Sequence, residues 1–247
     1  LGDVYKRQTI KKSNYLAKQN KEVLPVCETI TVFTDEEIEK FKAEAYKKYP
    51  SGKPKHNQAS AYILMLNTGL RTAEALGLIN SDIDLEKKVM HIQRGVKEAQ
   101  KRDGTERKSG REIIVGKLKT ASSKRIVPLN ETAIQAIIEL RNERYFGEDA
   151  PLIPDADGNF TRPLNLRKRF YSILDAAGIE KKGLHSLRHT FATKLVTGVR
   201  ADDGTVKALT PRQVADLLGH TTSEITEMYY VKRNTDMLMG ITNEFEL

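Results

Sequence analysis

Apolar residues in the first part of the chain recur at helical spacing. The segment Thr34–Glu37 is a capping box, in which the threonine hydroxyl and the carboxylate of Glu37 satisfy backbone amides of a first helical turn. A helix is therefore predicted from this box to about Lys48. Its predicted inward positions are Ile38, Phe41 and Ala45.

A second helix is predicted from about Gln58 to Thr68. It is apolar almost all round, which indicates a buried helix, and Gly69 ends it. A short third helix follows Arg71.

The pattern changes from helical spacing to short β-like segments in the middle of the chain. Val89–Ile92, Ile113–Val115 and Ile126–Val127 predict three short strands, which we expect to form one small antiparallel sheet. The polar segment Lys101–Gly110 is expected to be a long basic hairpin loop.

Helical patterns return in the last part of the chain. Helices are predicted from about Glu131 to Tyr145, from about Asn165 to Ala177, and from Ser186 to Gly198. The inward positions expected on the first two are Ile134, Ile137, Ile138 and Tyr145, and Leu166, Phe170, Ile173 and Leu174. A capping box at Thr210, with Pro at the first helical position, begins a helix that ends at Gly219. A last helix is expected to carry Ile225, Met228 and Tyr229.

These elements predict a mostly α protein with a small antiparallel β-sheet, an α+β fold. No βαβ alternation and no internal repeat is present in the sequence. The insertion at 197–209, between the last two predicted helices before Gly219, is expected to form an extra loop or hairpin.

Charge is concentrated in two segments of the chain. The 247 residues include 41 Lys and Arg against 33 Asp and Glu, a net charge of +8. Between Lys101 and Arg125 there are nine basic and three acidic residues, and between Phe160 and Thr190 there are seven and two. Each segment alone is consistent with a solvated face. Together, in a chain that is otherwise slightly acidic, they favour a phosphate-rich partner.

Other classes of protein are excluded by composition. The longest apolar run, Ala61–Leu66, is far too short to cross a membrane, and the single cysteine, Cys27, forms no internal disulfide. Without a signal-peptide pattern, we expect a cytoplasmic protein.

Four clusters of polar residues carry candidate chemistry. They are Arg71 with Glu74 in TGLRTAEALGL, Lys119 in KTASSKRIVPL, His185 and Arg188 in HSLRHTFAT, and His220 and Tyr229 in LLGHTTSEITEMYY. A single HxxR string is weak evidence, but four such strings in this order are specific. Together they resemble the tyrosine recombinases, the phage-type integrases, from about Thr34 to Tyr230.

The resemblance implies that the protein breaks and rejoins DNA through a 3′-phosphotyrosine link. Arg71 and Arg188 would stabilise the extra negative charge on the phosphoryl oxygens, because guanidinium forks match such oxygens. Glu74 would orient Arg71. Tyr229 would be the nucleophile and His185 its proton acceptor.

The remaining roles follow from the same resemblance. His220 would donate a hydrogen bond to a non-bridging oxygen, and Lys119 would protonate the 5′-oxygen leaving group. Tyr230 is the alternative nucleophile, and Lys117 and Lys124 are the competing acids. The residues predicted to contact DNA are Lys117, Lys124, Arg125 and His189.

No metal or other cofactor is predicted. His185 and His189 are four residues apart, but Ser186 stands where the zinc-hydrolase pattern has glutamate. A phosphotyrosine link also conserves the bond energy, so no nucleotide is needed. Leu118 stands where the family often has proline.

The resemblance also sets an expected domain organisation. We interpret 1–8 as a non-native scar, 9–31 as the end of an N-terminal core-binding domain with its linker, and 32–247 as the catalytic domain with its C-terminal tail. The expected partner is double-stranded DNA, bound by a homotetramer. The acidic, apolar tail is expected either to dock on a neighbouring protomer or to pack on its own domain.

Three functions share these features. The first is integration or excision of a mobile element by a site-specific recombinase. The second is DNA relaxation by a type IB topoisomerase, which uses the same chemistry. The third is a relative that binds DNA without cleaving it. The chain order and the TGLR string favour the recombinase.

Overall fold

The computed structural model of the chain describes residues 31–103, 106–117, 124–200 and 205–219. All of them belong to a compact unit that begins at Thr31. The interpretation of the residues before it stays a prediction. The α-helices of the described part are α1 Asp35–Ala45, α2 Ser60–Thr68, α3 Thr72–Gly77, α4 Glu131–Glu143, α5 Pro163–Ala176, α6 His185–Thr197 and α7 Pro211–Leu218.

The strands of the described part all pair antiparallel. They are β1 Ile83–Asp84, β2 Val89–Ile92, β3 Arg94–Asp103, β4 Glu106–Lys117, β5 Arg125–Pro128, β6 Val199–Arg200 and β7 Val206–Lys207. A 3₁₀ turn, Asn80–Asp82, precedes β1. The predicted class, helices with small antiparallel sheets, is confirmed.

Helix α1 begins at the predicted capping box. The Thr34 hydroxyl accepts from the Glu37 amide at 3.2 Å, and Glu37 accepts from the Thr34 amide at 2.8 Å. The helix ends at Ala45, three residues before the predicted end. The chain then turns, and Lys48 pairs with Pro54 in an isolated antiparallel bridge.

Helix α2 is the centre of the core, as its uniformly apolar sequence predicted. Every residue from Ala61 to Met65 is at most 1% exposed. The Tyr62 ring packs against Phe41 and Phe170 at centroid distances of 6.3 and 5.2 Å. Its hydroxyl donates to the Leu166 carbonyl at 2.7 Å, so the only polar atom of this side chain is satisfied inside the core.

The prediction of one small sheet is wrong, because the strands divide between separate sheets. β1, β2 and β5 form a three-stranded sheet, and β3 pairs only with β4. The prediction of a basic loop over Lys101–Gly110 is also wrong, because most of these residues belong to β3 and β4. The register of this hairpin shifts between Gln100 and Arg102. The backbone hydrogen bonds between β3 and β4 form here without an apolar face. The sequence of this segment therefore lacks the apolar–polar alternation that marks a half-buried strand.

The prediction for helix α4 is confirmed only in part: Ile137 is buried, and Ile134 packs partly buried against the core, as expected. Its buried positions, Ala133, Ala136, Ile137 and Leu140, follow the spacing of a helical stripe. Ile138 and Tyr145 were expected to face inward, but they are 37% and 50% exposed. Alanine occupies two core positions because α4 packs closely on α2, so the larger residues did not mark the buried face.

The C-terminal elements follow the sequence pattern closely. On α5, the four predicted inward residues Leu166, Phe170, Ile173 and Leu174 are buried. The insertion forms the hairpin β6–β7, one of the two expected structures. Helix α7 begins at the predicted Thr210 capping box and ends at Gly219, whose φ is +66°. The helix predicted around Tyr229 lies outside the described residues. Among the helices that are described, none is long and apolar enough to cross a membrane.

Candidate active site

Arg71 lies at the first turn of α3, directly after the end of α2. Its backbone amide donates to Oε2 of Glu74 at 2.9 Å, and its Nη1 donates to Oε1 at 2.7 Å. The Glu74 side chain is 2% exposed, whereas that of Arg71 is 33% exposed. The expected Arg71–Glu74 ion pair is therefore present, with the carboxylate inside and the guanidinium reaching outward.

A second guanidinium reaches the same carboxylate from β5. Arg125 donates from Nη1 to Oε1 of Glu74 at 3.1 Å and from Nη2 to Oε2 at 3.0 Å. Its Nε donates to the Leu217 carbonyl at 2.9 Å, and its side chain is 7% exposed. Arg125 was predicted to contact DNA, which stays a prediction; in the structure its guanidinium lies in the interior against Glu74.

Burial alone would raise the pKa of Glu74. The hydrogen bonds and charge of Arg125, followed by the hydrogen bonds of Arg71, outweigh burial and lower the pKa of Glu74 below its ordinary value. The carboxylate is therefore ionised at neutral pH, as two charge-assisted partners require.

Arg188, on α6, lies between the ends of two other helices. Its Nη1 donates to the Gly69 carbonyl at 2.6 Å and its Nη2 to the Leu218 carbonyl at 2.9 Å. Arg71 also reaches this region, with Nη2 at 3.4 Å from the Gly219 carbonyl. The C-terminal end of a helix carries partial negative charge, so the ends of α2 and α7 both stabilise these cations.

Gly69 allows the close approach of these helices. Its φ is +63°, a left-handed conformation that favours glycine. A Cβ at this position would lie 2.5 Å from side-chain atoms of both Leu218 and Phe191. The glycine in TGLR therefore lets α7 and α6 pack against the end of α2, next to Arg188.

His185 and His189 lie one helical turn apart on α6, with ring centroids 5.3 Å apart. The pKa of His185 is lowered by desolvation and then by the positive charges of Arg188 and Arg71, which Glu74 opposes only partly. Burial, His185 and Arg188 lower the pKa of His189 to about 4. Both rings are therefore mostly neutral at neutral pH, and a neutral imidazole can accept a proton.

Arg188 remains a cation in this environment. Burial, followed by the charge of Arg71, lowers the pKa of Arg188 to about 9. The cluster thus holds three guanidiniums, on Arg71, Arg125 and Arg188, against one carboxylate, on Glu74. This surplus of positive charge suits an anionic ligand.

A cavity of about 390 Å³ adjoins His185 on its outer side. It lies between the first turn of α3, strand β3 and helix α5. The residues that line it are Thr72, Ala73, Val96, Pro163, Arg167, Tyr171, Gly183, Leu184 and His185. His185 and Arg167 therefore line the same cavity.

The structure describes only some of the other predicted site residues. Lys119, His220 and Tyr229, with the alternative Tyr230, lie outside the described residues, and so does the side chain of Lys117. Lys124 is exposed, immediately before Arg125. In the sequence, Lys119 falls between the end of β4 and the start of β5, and His220 directly follows Gly219.

Two of the site's features escaped sequence reasoning. The burial of Arg125 against Glu74 is a contact across 51 residues, which no local pattern indicates. The carbonyl acceptors for Arg188 depend on how two helix ends meet. Within the described ranges, no group of three or more His, Cys, Asp or Glu residues could hold a metal ion.

Comparisons with known proteins match both this sequence and this fold. A sequence profile described as the phage integrase family matches residues 31–236. A tyrosine recombinase XerC-like protein of Caldanaerobacter subterraneus subsp. tengcongensis is 33% identical over 215 residues, which are 81% of this chain and 50% of that protein. The chain therefore spans about half the length of this relative.

Solved structures show the same fold. The Tn1549 transposon integrase in complex with circular intermediate DNA matches with a TM-score of 0.63 at 20% identity, over 90% of this chain and 72% of that chain. The XerH site-specific recombinase bound to palindromic difH substrate matches with a TM-score of 0.58 at 24% identity, over 86% of this chain and 52% of that chain.

Proposed function

The chain belongs to the phage integrase family, and on that premise we propose that it is a site-specific DNA recombinase. It cleaves and rejoins DNA strands through a 3′-phosphotyrosine intermediate, in the integration or excision of a mobile element. The observation that carries this proposal is the arginine cluster around Glu74. Arg71, on α3, and Arg188, on α6, come from distant parts of the sequence and meet where α2 and α7 end.

The cluster suits a phosphoryl group in transfer. A pentavalent transition state gathers negative charge on its non-bridging oxygens, and preorganised donors aimed at that charge lower the barrier. Arg71 and Arg188 supply these donors. Because the guanidiniums are already fixed by Glu74 and by backbone carbonyls, they need little reorganisation when the substrate binds.

His185 is the proton acceptor for the nucleophile. A phenol has a pKa of about 10 and needs a base or a strongly cationic environment to attack phosphorus. The lowered pKa of His185 keeps its ring neutral at neutral pH, in the form that can take the proton. The neighbouring arginines supply the cationic environment as well.

The remaining steps are assigned by family resemblance. Tyr229 attacks the phosphorus and forms the 3′-phosphotyrosine, while the bond to the 5′-oxygen breaks. Lys119 gives its proton to that oxygen, and His220 donates a hydrogen bond to a non-bridging oxygen. In rejoining, a 5′-hydroxyl attacks the phosphotyrosine and Tyr229 leaves, so no external energy source is needed.

Double-stranded DNA is the proposed substrate. Both solved relatives described above were determined with DNA. The basic outer part of the hairpin β3–β4, residues 101–111, and the exposed Lys124 are the sites proposed for contacts with the phosphate backbone, with Lys117 and His189 near the scissile phosphate. We further propose a homotetramer on DNA in the cytoplasm, in which the acidic tail docks on a neighbouring protomer.

Covalent capture tests the chemistry without knowledge of the target site. The chain is incubated with a library of duplexes that carry a randomised core and a 5′-bridging phosphorothiolate at one fixed position. The thiolate leaves readily and does not reattack well, so cleavage accumulates protein–DNA adducts, and their sequencing identifies the site. We expect adducts from the wild type and from Tyr230→Phe, and none from Tyr229→Phe.

The same assay separates the other roles. On the recovered site with ordinary phosphodiesters, Lys119→Ala should lose cleavage, and the phosphorothiolate should restore it because a thiolate leaves without a proton. The matched variant Lys124→Ala should cleave both substrates. Adducts from Tyr229→Phe but not from Tyr230→Phe would reassign the nucleophile, and no wild-type adduct on any sequence would favour a binding-only relative.

A plasmid that carries two copies of the recovered site separates recombination from relaxation. A recombinase yields excised or inverted products. A type IB topoisomerase would yield only relaxed plasmid, and without any requirement for the site.

A further inference from the structure

Of the two arginines that hydrogen-bond to Glu74, Arg125 is the more buried, and its hydrogen bonds have the more regular geometry. Its two Nη atoms reach the two carboxylate oxygens of Glu74 at 3.1 and 3.0 Å, which is the bidentate fork of a strong arginine–carboxylate pair. Its side chain is 7% exposed, compared with 33% for Arg71. A buried fork of this kind is not placed to meet a DNA backbone.

Glu74 therefore lies between two guanidiniums, one inside and one facing outward. The inner one, on Arg125, fixes the plane of the carboxylate. The outer one, on Arg71, takes its direction from Oε1 of the same carboxylate at 2.7 Å. The orientation of Arg71 thus depends on Arg125 through Glu74.

Arg125 also joins three elements of the fold. It is the first residue of β5, its Nη atoms reach α3, and its Nε reaches the Leu217 carbonyl in the last turn of α7 at 2.9 Å. That turn leads to Gly219, whose carbonyl lies 3.4 Å from Nη2 of Arg71. The segment that contains Lys119 ends directly before β5 in the sequence.

Charge gives a second reason for an arginine at this position. Glu74 alone would neutralise Arg71 and remove the positive charge that a phosphate needs. With Arg125 on the inner side, the group of three carries a net positive charge while every buried charge stays paired. A neutral residue at 125 would leave an Arg71–Glu74 pair with no net charge.

We propose that Arg125 is a positioning residue of the active site, which holds Glu74 and the last turn of α7 so that Arg71 is aimed at the scissile phosphate. This inference rests on the proposed function and deepens it. Arginine is required because lysine, a point charge on a flexible stem, cannot hold the carboxylate plane and a backbone carbonyl together.

The test compares two arginine-to-lysine substitutions in similar ion pairs. Arg125→Lys changes the proposed residue. The matched control is Arg94→Lys, because Arg94 pairs with the buried Asp82 at 2.5 Å and also donates to a carbonyl, that of Gly77, at 3.4 Å. Both proteins are assayed on the recovered site for adduct formation in a single turnover at saturating protein, for DNA affinity by fluorescence anisotropy, and for melting temperature.

We expect Arg125→Lys to slow adduct formation about 100-fold, because a misplacement of catalytic groups by about 1 Å costs a factor of this order. Its DNA affinity should stay within about twofold of the wild type, since Arg125 does not contact the backbone. Arg94→Lys should leave both quantities within about twofold. In Arg125→Ala, added guanidinium ions should restore part of the cleavage rate, and they should not accelerate the wild type or Arg94→Ala.

Three results would overturn the inference. Weaker DNA binding with an unchanged rate at saturation would make Arg125 a backbone contact. Equal losses of rate in Arg125→Lys and Arg94→Lys, in parallel with their melting temperatures, would make it an ordinary structural pair. An unchanged rate in both Arg125→Lys and Arg125→Ala would remove any role. Absence of adducts from the wild type would instead refute the proposed function on which the inference rests.

Discussion

Two buried glutamates, Glu74 and Glu44, each gather cationic side chains, and they do so in different ways. Both side chains are 2% exposed. Glu44, near the end of α1, is contacted by Lys47, by Lys55 at 2.7 Å and by His56 at 2.9 Å. These partners lie within twelve residues of Glu44 in the sequence, and the two lysines are 56% and 38% exposed.

The partners of Glu74 come from farther away and are held more firmly. Arg125 approaches from β5 and is tied to the Leu217 carbonyl, and Arg71 reaches the Gly219 carbonyl. The first cluster closes a local turn with flexible point charges. The second uses planar guanidiniums to bring distant elements together, which is the arrangement that a preorganised site requires.

The largest expected difference between the clusters is in catalysis. Arg71→Ala removes donors aimed at the phosphoryl oxygens, so single-turnover adduct formation should fall on the order of 10³-fold. Lys55→Ala removes a cation of the Glu44 cluster and should change the rate by less than about twofold. The rates are measured on the recovered site at saturating protein. Similar losses in both variants would mean that cleavage responds to general charge or stability rather than to this cluster.

The contrast also separates what the sequence could predict from what it could not. The capping boxes at Thr34 and Thr210 and the buried helix α2 depend on neighbouring residues and were predicted. The Arg71–Glu74 pair was predictable for the same reason, because its members are three residues apart on one turn.

The contacts that were missed are those between distant segments. The partner of Arg125 is 51 residues away, and the division of the described strands into three sheets depends on which strand lies beside which. Ile138 was misassigned because the sequence shows apolar size, whereas close packing of α4 on α2 selected alanines. Local pattern fixes elements and their caps, but tertiary contacts decide register, face and pairing.

Neutralising each glutamate should give the next largest difference. Glu74→Gln keeps the shape but breaks a buried pair with two arginines, so the free energy of unfolding should fall by about 3 kcal/mol and cleavage by about 100-fold. Glu44→Gln should cost about 1 kcal/mol and leave the cleavage rate at saturation unchanged. Urea unfolding and adduct formation measure the two effects. If the Glu44→Gln protein is as stable as the wild type but cleaves slowly, Glu44 would have a catalytic role instead of a structural one.

The Glu44 cluster should make the free energy of unfolding depend on pH under acidic conditions. Burial would raise the pKa of Glu44, but hydrogen bonds from His56, Lys47 and Lys55 lower it to about 2. A carboxyl whose pKa is lower in the folded state stabilises the fold above its unfolded pKa, about 4.5, and this stability is lost as the pH falls from there towards 2. The expected loss is on the order of 1–2 kcal/mol, because water screens the two exposed lysines.

Urea unfolding between about pH 6 and the acid limit of folding checks this, with Glu44→Gln beside the wild type. The variant should show a shallower loss of stability in acid. Parallel curves for the two proteins would mean that Glu44 has similar pKa values in the folded and unfolded states.

The smallest expected effect concerns salt, and it distinguishes the clusters most directly. Lys47 is exposed and three residues from Glu44, so Lys47→Ala should cost less than about 0.5 kcal/mol at low ionic strength. At about 1 M salt the Debye length is about 3 Å, and the difference between Lys47→Ala and the wild type should nearly vanish. The Arg125–Glu74 pair is shielded from solvent, so the destabilisation caused by Arg125→Lys should persist at the same salt. If both differences disappear together, the Glu74 pair is screened like a surface pair, and burial does not distinguish the two glutamates.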